Sequence, residues 1–565
     1  MLSGGRRWST MLPVRRCLTR RPARSLGTPP AMWLALAVAI FAAGSAASGV
    51  VAEPLPAAPL EAGFAEADIT PALDPARPVW IAGYGMGRRA TGVHDPLRVR
   101  AVVLRDGTRK FALACVDLVG LQYPETKRIR ARLPEFAEVM VSSTHNHEGP
   151  DVIGIWGANP LQRGADDRYL SLVVDRVVEA IRAADKAARP AEARYGEAED
   201  ESLVGDSRLP KVKDGKLRVV RFDRVRFDRA ATPAADAPAK VEQSSQATVK
   251  PLGLLVVWTC HPEAMGSRNT LLTADFVAAT VAKLSADHGC PVAYFSGAVG
   301  GLMAPPDNRI RDSAGRVLQE GDFAYSDGYG EAVAALANQA LERATPIRLT
   351  PLAAATERIA IPVENKLYRA ARAMGVLQRQ MLDWTGEEQL PPDPVGASAR
   401  GNSPSGSSQS GSSQSGSSPS DESKSGKAER KAASKATGAA VETEVGLLQL
   451  GELAVACIPG EIYPELVYGA FQEPVEPQVD FPNAPKEPTV AGLMPGPRWL
   501  LMGLANDEVG YILPKRQWDE RPPYAYGRDK PQYGEINSCG PDAAPIILRS
   551  LARCAQRLKP PPAAP

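Results

Sequence analysis

The chain has 565 residues, of which 44% are hydrophobic, and a formal net charge of +2. This length and apolar content suffice for a large buried core and would allow about two to four domains. Residues 1–52 contain seven arginines and no acidic residue, so the rest of the chain carries a net charge of about −5, which argues against a nucleic-acid partner. The seven cysteines include no C-x-x-C pair, which excludes a disulfide-stapled scaffold and predicts buried free thiols.

The N-terminal segment 1–52 has the order of a secretory signal. A basic stretch (15–24) precedes a short apolar run (33–43), and small residues follow with cleavage sites after Ala47 or Ala52. The apolar run is shorter than the roughly 20 residues that span a bilayer. We expect a signal peptide or, alternatively, an uncleaved N-terminal anchor. The protein is then exported, and periplasmic or secreted.

Short β-branched runs alternate with amphipathic stretches through the ordered part of the chain. The predicted strands are Val99–Leu104, Phe111–Val116, Val139–Ser142, Leu254–Thr259, Val292–Phe295, Leu453–Ile458 and Trp499–Leu504. The predicted helices are Tyr169–Ala187, Asp275–Ala286, Gly328–Ala344, Leu367–Asp383 and Ala543–Leu558. This alternation favours an α/β fold with a mixed, mainly parallel sheet flanked by helices.

Two polar stretches interrupt this pattern. Residues 397–437 are dominated by Ser, Gly, Gln, Lys and Ala, and 229–249 form a second polar insert. Such compositions bury almost no apolar surface, so we expect 397–437 to be a disordered loop. Candidate ligands occur on both sides of it, which predicts one catalytic domain in two parts, 53–396 and 438–565.

Five of the predicted strands lead directly into segments rich in functional residue types. The chain has only five histidines, and three of them, His145, His147 and His261, follow predicted strands. Ligands gather at the carboxyl ends of strands in open α/β sheets, and imidazole is a common zinc ligand. Each histidine alone could equally be a hydrogen-bonded core residue. Together they indicate a metal site at the strand carboxyl ends.

These segments resemble the neutral/alkaline (non-lysosomal) ceramidase family. Segment 143–150, STHNHEGP, is similar to the family motif T-H-T-H-S-G-P. Further similarities, in the family order, are GFAEADITP at 63–71, GVHDPLRVR at 92–100, VVWTCHP at 256–262, PGE at 459–461, GY at 510–511 and, more loosely, YGE at 533–535. The resemblance covers about 62–556 outside the two inserts.

The resemblance implies one Zn²⁺ per chain, held by His145, His261, Glu461 and Tyr511. It places His147 beside the metal, where it would hold or protonate the scissile group. Two structural alternatives remain at this point. Tyr511 could be a core tyrosine, and Glu461 could be a first-turn carboxylate of a helix favoured by the helix dipole.

The chain departs from the family at the serine of its N-x-G-D-x-S-P-N segment. The aligned run is FSGAVGGL (295–302), so the serine position falls on Gly300 and the acid on Ala298. Direct attack by zinc-bound water is then expected instead of covalent serine catalysis. Gly300 and Gly301 would supply backbone N–H donors to an oxyanion, or they form only a tight turn.

Several other polar residues could line the pocket or support the ligands from behind. They are His94, Asp117, Asp275, Asn506, Asp507 and Tyr533. Such residues more often have an orienting or capping role than a place in the pocket.

The sequence therefore predicts an exported zinc-dependent amidohydrolase that cleaves an N-acyl lipid such as ceramide, or a related small amide, by zinc-activated water. Such a substrate would bring the enzyme close to a membrane surface; the oligomeric state is not readable. The family's C-terminal immunoglobulin-like domain is not expected, because the chain ends soon after Tyr533. The alternatives are an esterase or amidase acting on another exported substrate, or a non-catalytic homologue that binds zinc or a ligand.

Overall fold

A computed structural model describes residues 59–225, 250–312, 314–391 and 438–559. These residues fall within one structural unit, Pro56–Pro565. The predicted signal segment 1–52 and both predicted inserts, 229–249 and 397–437, lie outside the described residues.

Twenty strands and nine helices are assigned in the described ranges. The strands are β1 Glu61–Asp68, β2 Gly92–Val93, β3 Arg98–Arg105, β4 Lys110–Val116, β5 Glu138–Ser143, β6 Arg189–Glu199, β7 Gly205–Asp206, β8 Lys216–Arg224, β9 Pro251–Trp258, β10 Leu271–Leu272, β11 Val292–Ser296, β12 Met303–Ala304, β13 Thr345–Ile347, β14 Leu352–Pro362, β15 Met381–Trp384, β16 Gly438–Leu450, β17 Leu453–Cys457, β18 Glu461–Ile462, β19 Trp499–Met502 and β20 Tyr511–Ile512. The helices are α1 Tyr123–Ala131, α2 Asp167–Ala187, α3 Phe276–His288, α4 Phe323–Glu342, α5 Lys366–Ala373, α6 Pro464–Tyr468, α7 Val490–Leu493, α8 Tyr533–Ile536 and α9 Ala543–Leu558.

The larger sheet has nine strands in the order β11-β9-β8-β6-β1-β3-β4-β5, with β13 paired to β6. Only the β9–β11 and β4–β5 pairs are parallel. The predicted mixed α/β fold is confirmed, but the expectation of mainly parallel strands is wrong. Parallel pairs form where a helix crosses between strands, α1 after β4 and α3 after β9. The antiparallel strands β3 and β4 are joined by a short turn at Asp106, whose carboxylate accepts the backbone N–H of Arg109.

A second sheet has the order β14-β16-β17-β19, with β15 paired to β16 and one parallel pair, β17–β19. The predicted helix Leu367–Asp383 was too long. Helix α5 ends at Ala373, Gly375 adopts a φ of +76°, and the chain then forms β15 on the edge of this sheet. Glycine makes this left-handed conformation readily, so it terminates the helix.

The two sheets pack face to face, and helices cover their outer faces. Side chains such as Leu113 and Cys115 on β4 share one core with Val455 on β17 and Leu500 on β19. Helix α2 covers the first sheet with apolar residues at helical spacing, and α3 and α4 cover its other end. Helix α9 covers the second sheet. The result is an α-β-β-α arrangement in which the ends of several strands meet near the boundary between the sheets.

The six cysteines in the described ranges are free and buried, as predicted from their spacing. Among the helices of the described ranges, none combines the length and apolar character needed to cross a membrane.

Candidate active site

His145 follows strand β5, where the chain leaves the first sheet. It has a φ of +65°, a left-handed conformation that is uncommon for a residue with a side chain and that clusters at functional sites. Its Nδ1 lies 2.6 Å from the carbonyl oxygen of Val119, in the loop after β4. A carbonyl oxygen can only accept a hydrogen bond, so Nδ1 carries the hydrogen and the lone pair lies on Nε2. The ring is therefore fixed in position and tautomer.

His261 follows β9 in the same manner. Its backbone N–H donates to the carbonyl of Met303 at 2.8 Å, and its Nδ1 lies 2.7 Å from the same oxygen. Only 1% of the residue is exposed. Its Nε2 is therefore also the nitrogen available to a ligand.

Glu461 joins the two histidines. Its Oε2 lies 2.9 Å from Nε2 of His261 and 3.2 Å from Nε2 of His145. Burial opposes ionisation, but the two imidazoles lower the pKa of the Glu461 carboxyl far below its ordinary value. Burial likewise opposes protonation of His261, yet its contacts with Glu461, Glu263 and the Met303 carbonyl raise the pKa of the imidazole. Two imidazole nitrogens that converge on one carboxylate oxygen form a donor set that could bind a metal cation in place of the shared proton.

His147 lies on the other side of this cluster. Its ring centroid is 4.9 Å from that of His145 and 5.4 Å from that of His261. Its Nδ1 is 3.3 Å from Oε2 of Glu263 without hydrogen-bonding geometry. Burial and the nearby imidazoles lower the pKa of His147 well below its usual value. The ring is therefore neutral at pH 7 while the site holds no substrate.

The backbone around His147 is tightly held. The guanidinium of Arg88 binds the carbonyl of His147 and forms a buried ion pair with Glu148 at 3.4 Å. Gly83 packs against the imidazole, where a Cβ atom would lie 2.4 Å from the ring. Neither Arg88 nor Gly83 was predicted from the sequence.

Glu461 and Tyr511 are in register on the parallel strands β18 and β20. Side chains at paired positions project to the same face of a sheet. Glu461 thus belongs to β18, ahead of helix α6, and is not a first-turn carboxylate. Tyr511 is buried but lines the same cavity as Glu461, and burial together with Glu461 raises the pKa of its phenol well above the usual value.

Glu508 is an unpredicted member of the cluster. Potential ligand atoms of His145, Glu461 and Glu508 all lie within 4.8 Å of one another, as do those of His145, His147 and His261. One carboxylate oxygen of Glu508 accepts the N–H of Gly510 at 2.7 Å, and the other has no hydrogen-bond partner. The only sequence signal for Glu508 is its place directly after Asn506 and Asp507, which were predicted as pocket residues.

The cluster lies at one end of a cavity with an empty volume of about 820 Å³, counted with its open mouth. The polar wall includes His145, His147, Glu461, Glu508 and Tyr511. The rest of the wall is largely apolar and is formed by side chains that include Ile153, Ile155, Trp156, Val363, Leu377, Met381, Val441 and Val509. The site is thus suited to a substrate with one polar, reactive group and an apolar body.

Gly300 and Gly301 do not have the geometry expected of oxyanion donors. The N–H of Gly300 donates to the carbonyl of Ile462 at 3.0 Å. A Cβ on Gly300 would lie 2.6 Å from the Ile462 carbonyl and 2.7 Å from that of Glu461. Gly301 has a φ of +81° and does not line the cavity. The catalytic role predicted for these glycines is replaced by a structural one, the close approach of this turn to β18, which carries Glu461.

Among the other predicted pocket residues, only Tyr533 lines the cavity, with its ring centroid 5.9 Å from that of Tyr511. His94 lies outside it, stacked on Phe323 at 3.6 Å. Asp117 is buried in an ion pair with Arg100 at 2.7 Å. These two predicted residues therefore stabilise the scaffold.

The remaining three are also held by structural contacts. Asp275 caps α3 and accepts N–H groups from Phe276 and Met265, while burial raises its pKa to about 7. The Asn506 amide oxygen accepts the N–H of Val141 at 3.0 Å. Asp507 pairs with Arg379, which does line the cavity. Asp275 thus holds the segment after His261, Asn506 binds the strand that leads to His145, and Asp507 anchors the segment before Tyr511.

Comparison with known proteins agrees with this architecture. Residues 60–303 match the model of the family described as "Neutral/alkaline non-lysosomal ceramidase, N-terminal". The resemblance inferred from the sequence motifs is thereby confirmed over this segment, which contains His145, His147 and His261. Glu461 and Tyr511 lie beyond it.

Solved structures extend the similarity of the fold. The chain is similar to a neutral ceramidase from Pseudomonas aeruginosa, with a TM-score of 0.59 and 16% identity over 90% of this chain and 76% of that one. It is also similar to a structure described as a ceramidase complexed with C2, with a TM-score of 0.57 and 17% identity over 90% and 77%. At these identities the likeness concerns the fold. No curated protein matches the chain.

Proposed function

We propose that the protein is an exported zinc-dependent hydrolase that cleaves the amide bond of an N-acyl lipid such as ceramide. The observation that supports it most directly is the convergence of His145 and His261 on Glu461 at the polar end of a largely apolar cavity. The family match and the fold agree with this choice. Export follows only from the predicted signal at 1–52.

The donor set fits one zinc ion. Two imidazole nitrogens and one carboxylate oxygen supply the three protein ligands typical of a catalytic zinc site. Tyr511 is proposed as a fourth ligand because its position matches the family motif and its side chain shares the cavity with Glu461. Zinc bound there would polarise the scissile carbonyl and lower the pKa of bound water toward about 7.

The chain's own residues define the rest of the proposed reaction. The apolar wall binds the acyl chain and excludes water from the reacting amide. His147 is neutral in the free site, so its imidazole accepts a proton from the attacking water and returns it to the leaving amine nitrogen. Gly300 carries no hydroxyl, so no serine at this position takes part, and water is the nucleophile.

Zinc content and hydrolysis together test the proposal. Elemental analysis of purified wild type should give about one zinc per chain, and His261→Ala should lose it. His288→Ala is the matched control, because His288 binds Asn338 away from the cavity. Wild type should release fatty acid from N-acylsphingosine in detergent micelles, and His261→Ala should not. A wild type that takes up no zinc would contradict the proposal, and zinc uptake with ester cleavage but no amide cleavage would favour the esterase alternative.

A further inference from the structure

Helix α5 forms part of the rim of the cavity. The Asn365 side chain caps it by accepting N–H groups from Leu367 and Tyr368. Tyr368 lines the cavity, and its hydroxyl donates to the carbonyl of Asn537 at 2.9 Å. No residue of α5 is fully buried. Tyr368 therefore forms part of the cavity wall, while the other residues of α5 are exposed or partly exposed.

The outer side of α5 is apolar. Leu367 is 66% exposed and Met374, at the C-terminal cap, is 49% exposed. The two are seven positions apart, about two helical turns, so they lie on the same face. Surface helices normally turn such residues toward the core, as α9 does. An apolar face turned outward at a cavity mouth indicates a binding surface.

This face continues onto α8. Tyr533 is 49% exposed and Ile536 is 39% exposed. The Asn365 amide donates to the carbonyls of Ile536 at 2.9 Å and Ser538 at 2.8 Å, which fixes the two helices to each other. We define the rim patch as the four exposed residues Leu367, Met374, Tyr533 and Ile536.

The rim patch is accompanied by positive charge. Residues 365–374 (NKLYRAARAM) contain Lys366, Arg369 and Arg372 and no acidic residue. None of the three cations forms an ion pair with another residue in the described ranges.

We propose that the rim patch docks the protein on the surface of an anionic lipid bilayer, with the mouth of the cavity toward the lipid. Exposed apolar side chains enter the headgroup region, and unpaired cations bind the negative surface, as in interfacial helices. The benefit of this docking to catalysis rests on the proposed function, because an N-acyl lipid would enter the cavity from the bilayer. The docking itself does not depend on the proposed function.

Sedimentation with lipid vesicles tests the proposal. The sample is the protein as it is recovered after export. We expect wild type to bind vesicles of phosphatidylcholine with phosphatidylglycerol, and much less those of phosphatidylcholine alone. Leu367→Ser/Met374→Ser and Arg369→Gln/Arg372→Gln should each weaken binding about tenfold or more, the charge effect fading at high salt. Val93→Ser and Arg343→Gln are controls, since both residues are exposed and neither lines the cavity.

Equal binding by wild type and both double variants would overturn the proposal. So would a dimer in light scattering that Leu367→Ser/Met374→Ser converts to a monomer, because a second copy would then be the occupant. Hydrolysis of a short, soluble acyl amide, measured in parallel, keeps the two proposals apart. Docking without hydrolysis contradicts the proposed function alone, and hydrolysis without docking contradicts the rim patch alone.

Discussion

Nε2 of His261 and Oε2 of Glu461 lie 2.9 Å apart although 200 positions separate them in the chain. His261 follows a strand of the first sheet, and Glu461 lies just after a strand of the second. The pair therefore joins the two sheets at the cavity. Nδ1 of His261 donates to the Met303 carbonyl, so the contact between Nε2 and Oε2 requires a proton or a metal cation between these two atoms.

The first prediction concerns the stability of the metal-free protein. The pKa of Glu461 is lowered from 4.5, so its contribution to the free energy of unfolding is present above pH 4.5 and is lost as pH falls. The pKa of His261 is raised from 6.5, so its contribution is complete below pH 6.5 and is lost as pH rises through the folded-state value. Glu461→Gln should therefore lower the free energy of unfolding by about 1–3 kcal/mol at pH 5.5 and by less at pH 8.5.

Urea unfolding after treatment with a chelator measures this difference. Glu452→Gln, at an exposed carboxylate that pairs with Arg498, serves as the control and should change stability little at either pH. An equal loss for Glu461→Gln at both pH values would mean that the imidazole of His261 does not titrate with the pair.

The second prediction concerns the position where the family has its serine. Gly300→Ser should not restore a nucleophile, because the new Cβ would meet the carbonyls of Ile462 and Glu461 at 2.6–2.7 Å. Strand β18 would have to move, at a cost of about 1–3 kcal/mol of stability, and zinc affinity should fall with it. Thermal unfolding and zinc titration measure both effects. Gly496→Ser is the control, since a Cβ there meets no atom within 4 Å; a stable Gly300→Ser with full zinc affinity would contradict the packing argument.

The sequence was sufficient to predict much of the site because His145, His147 and His261 belong to a very scarce residue type and follow clearly apolar strands. All seven predicted strands are present. Strands such as β6 (RPAEARYGEAE) were missed, because charged residues alternate with small ones and no apolar run marks them. The prediction of mainly parallel strands was also wrong. Whether two neighbouring strands are parallel depends on the connection between them, and apolar runs alone do not show which connection forms.

Other parts of the site depend on contacts that no local pattern encodes. Glu508 enters the cluster because its backbone follows Asp507, whose carboxylate is anchored to Arg379 more than a hundred positions away. For Gly300 the sequence left an oxyanion donor and a tight turn as alternatives, because its contact with Ile462 is visible only in three dimensions. Long-range packing of this kind decides which polar residues near a strand end face the cavity.

The third prediction separates proton transfer from metal binding. His147→Ala should lower kcat by about 10²–10⁴-fold, the usual effect of removing a general acid–base, while zinc content and KM change little. His288→Ala should leave all three quantities unchanged. Loss of zinc together with kcat would show instead that His147 is a ligand, in line with the three-histidine grouping.

The fourth prediction concerns Glu465, which is buried at the start of α6 behind the site. Its Oε1 lies 3.9 Å from Nη1 of Arg208 and has no hydrogen-bond partner. Burial, which Arg208 only partly offsets, raises the pKa of Glu465 from 4.5 to about 7. The folded protein therefore binds this proton more tightly than the unfolded chain, and the associated stability is present below pH 4.5 and is lost as pH rises toward 7.

Replacing Glu465 by glutamine keeps the shape and removes the titrating proton. At pH 5 Glu465→Gln should match wild type closely, and at pH 8 it should be more stable by on the order of 2 kcal/mol, since the variant has no buried charge to form. Urea midpoints at the two pH values measure this, with Glu387→Gln on the surface as the control. A difference that stays constant between pH 5 and pH 8 would mean that Arg208 already stabilises the ionised Glu465, although the nearby carboxylate of Glu535 opposes its ionisation.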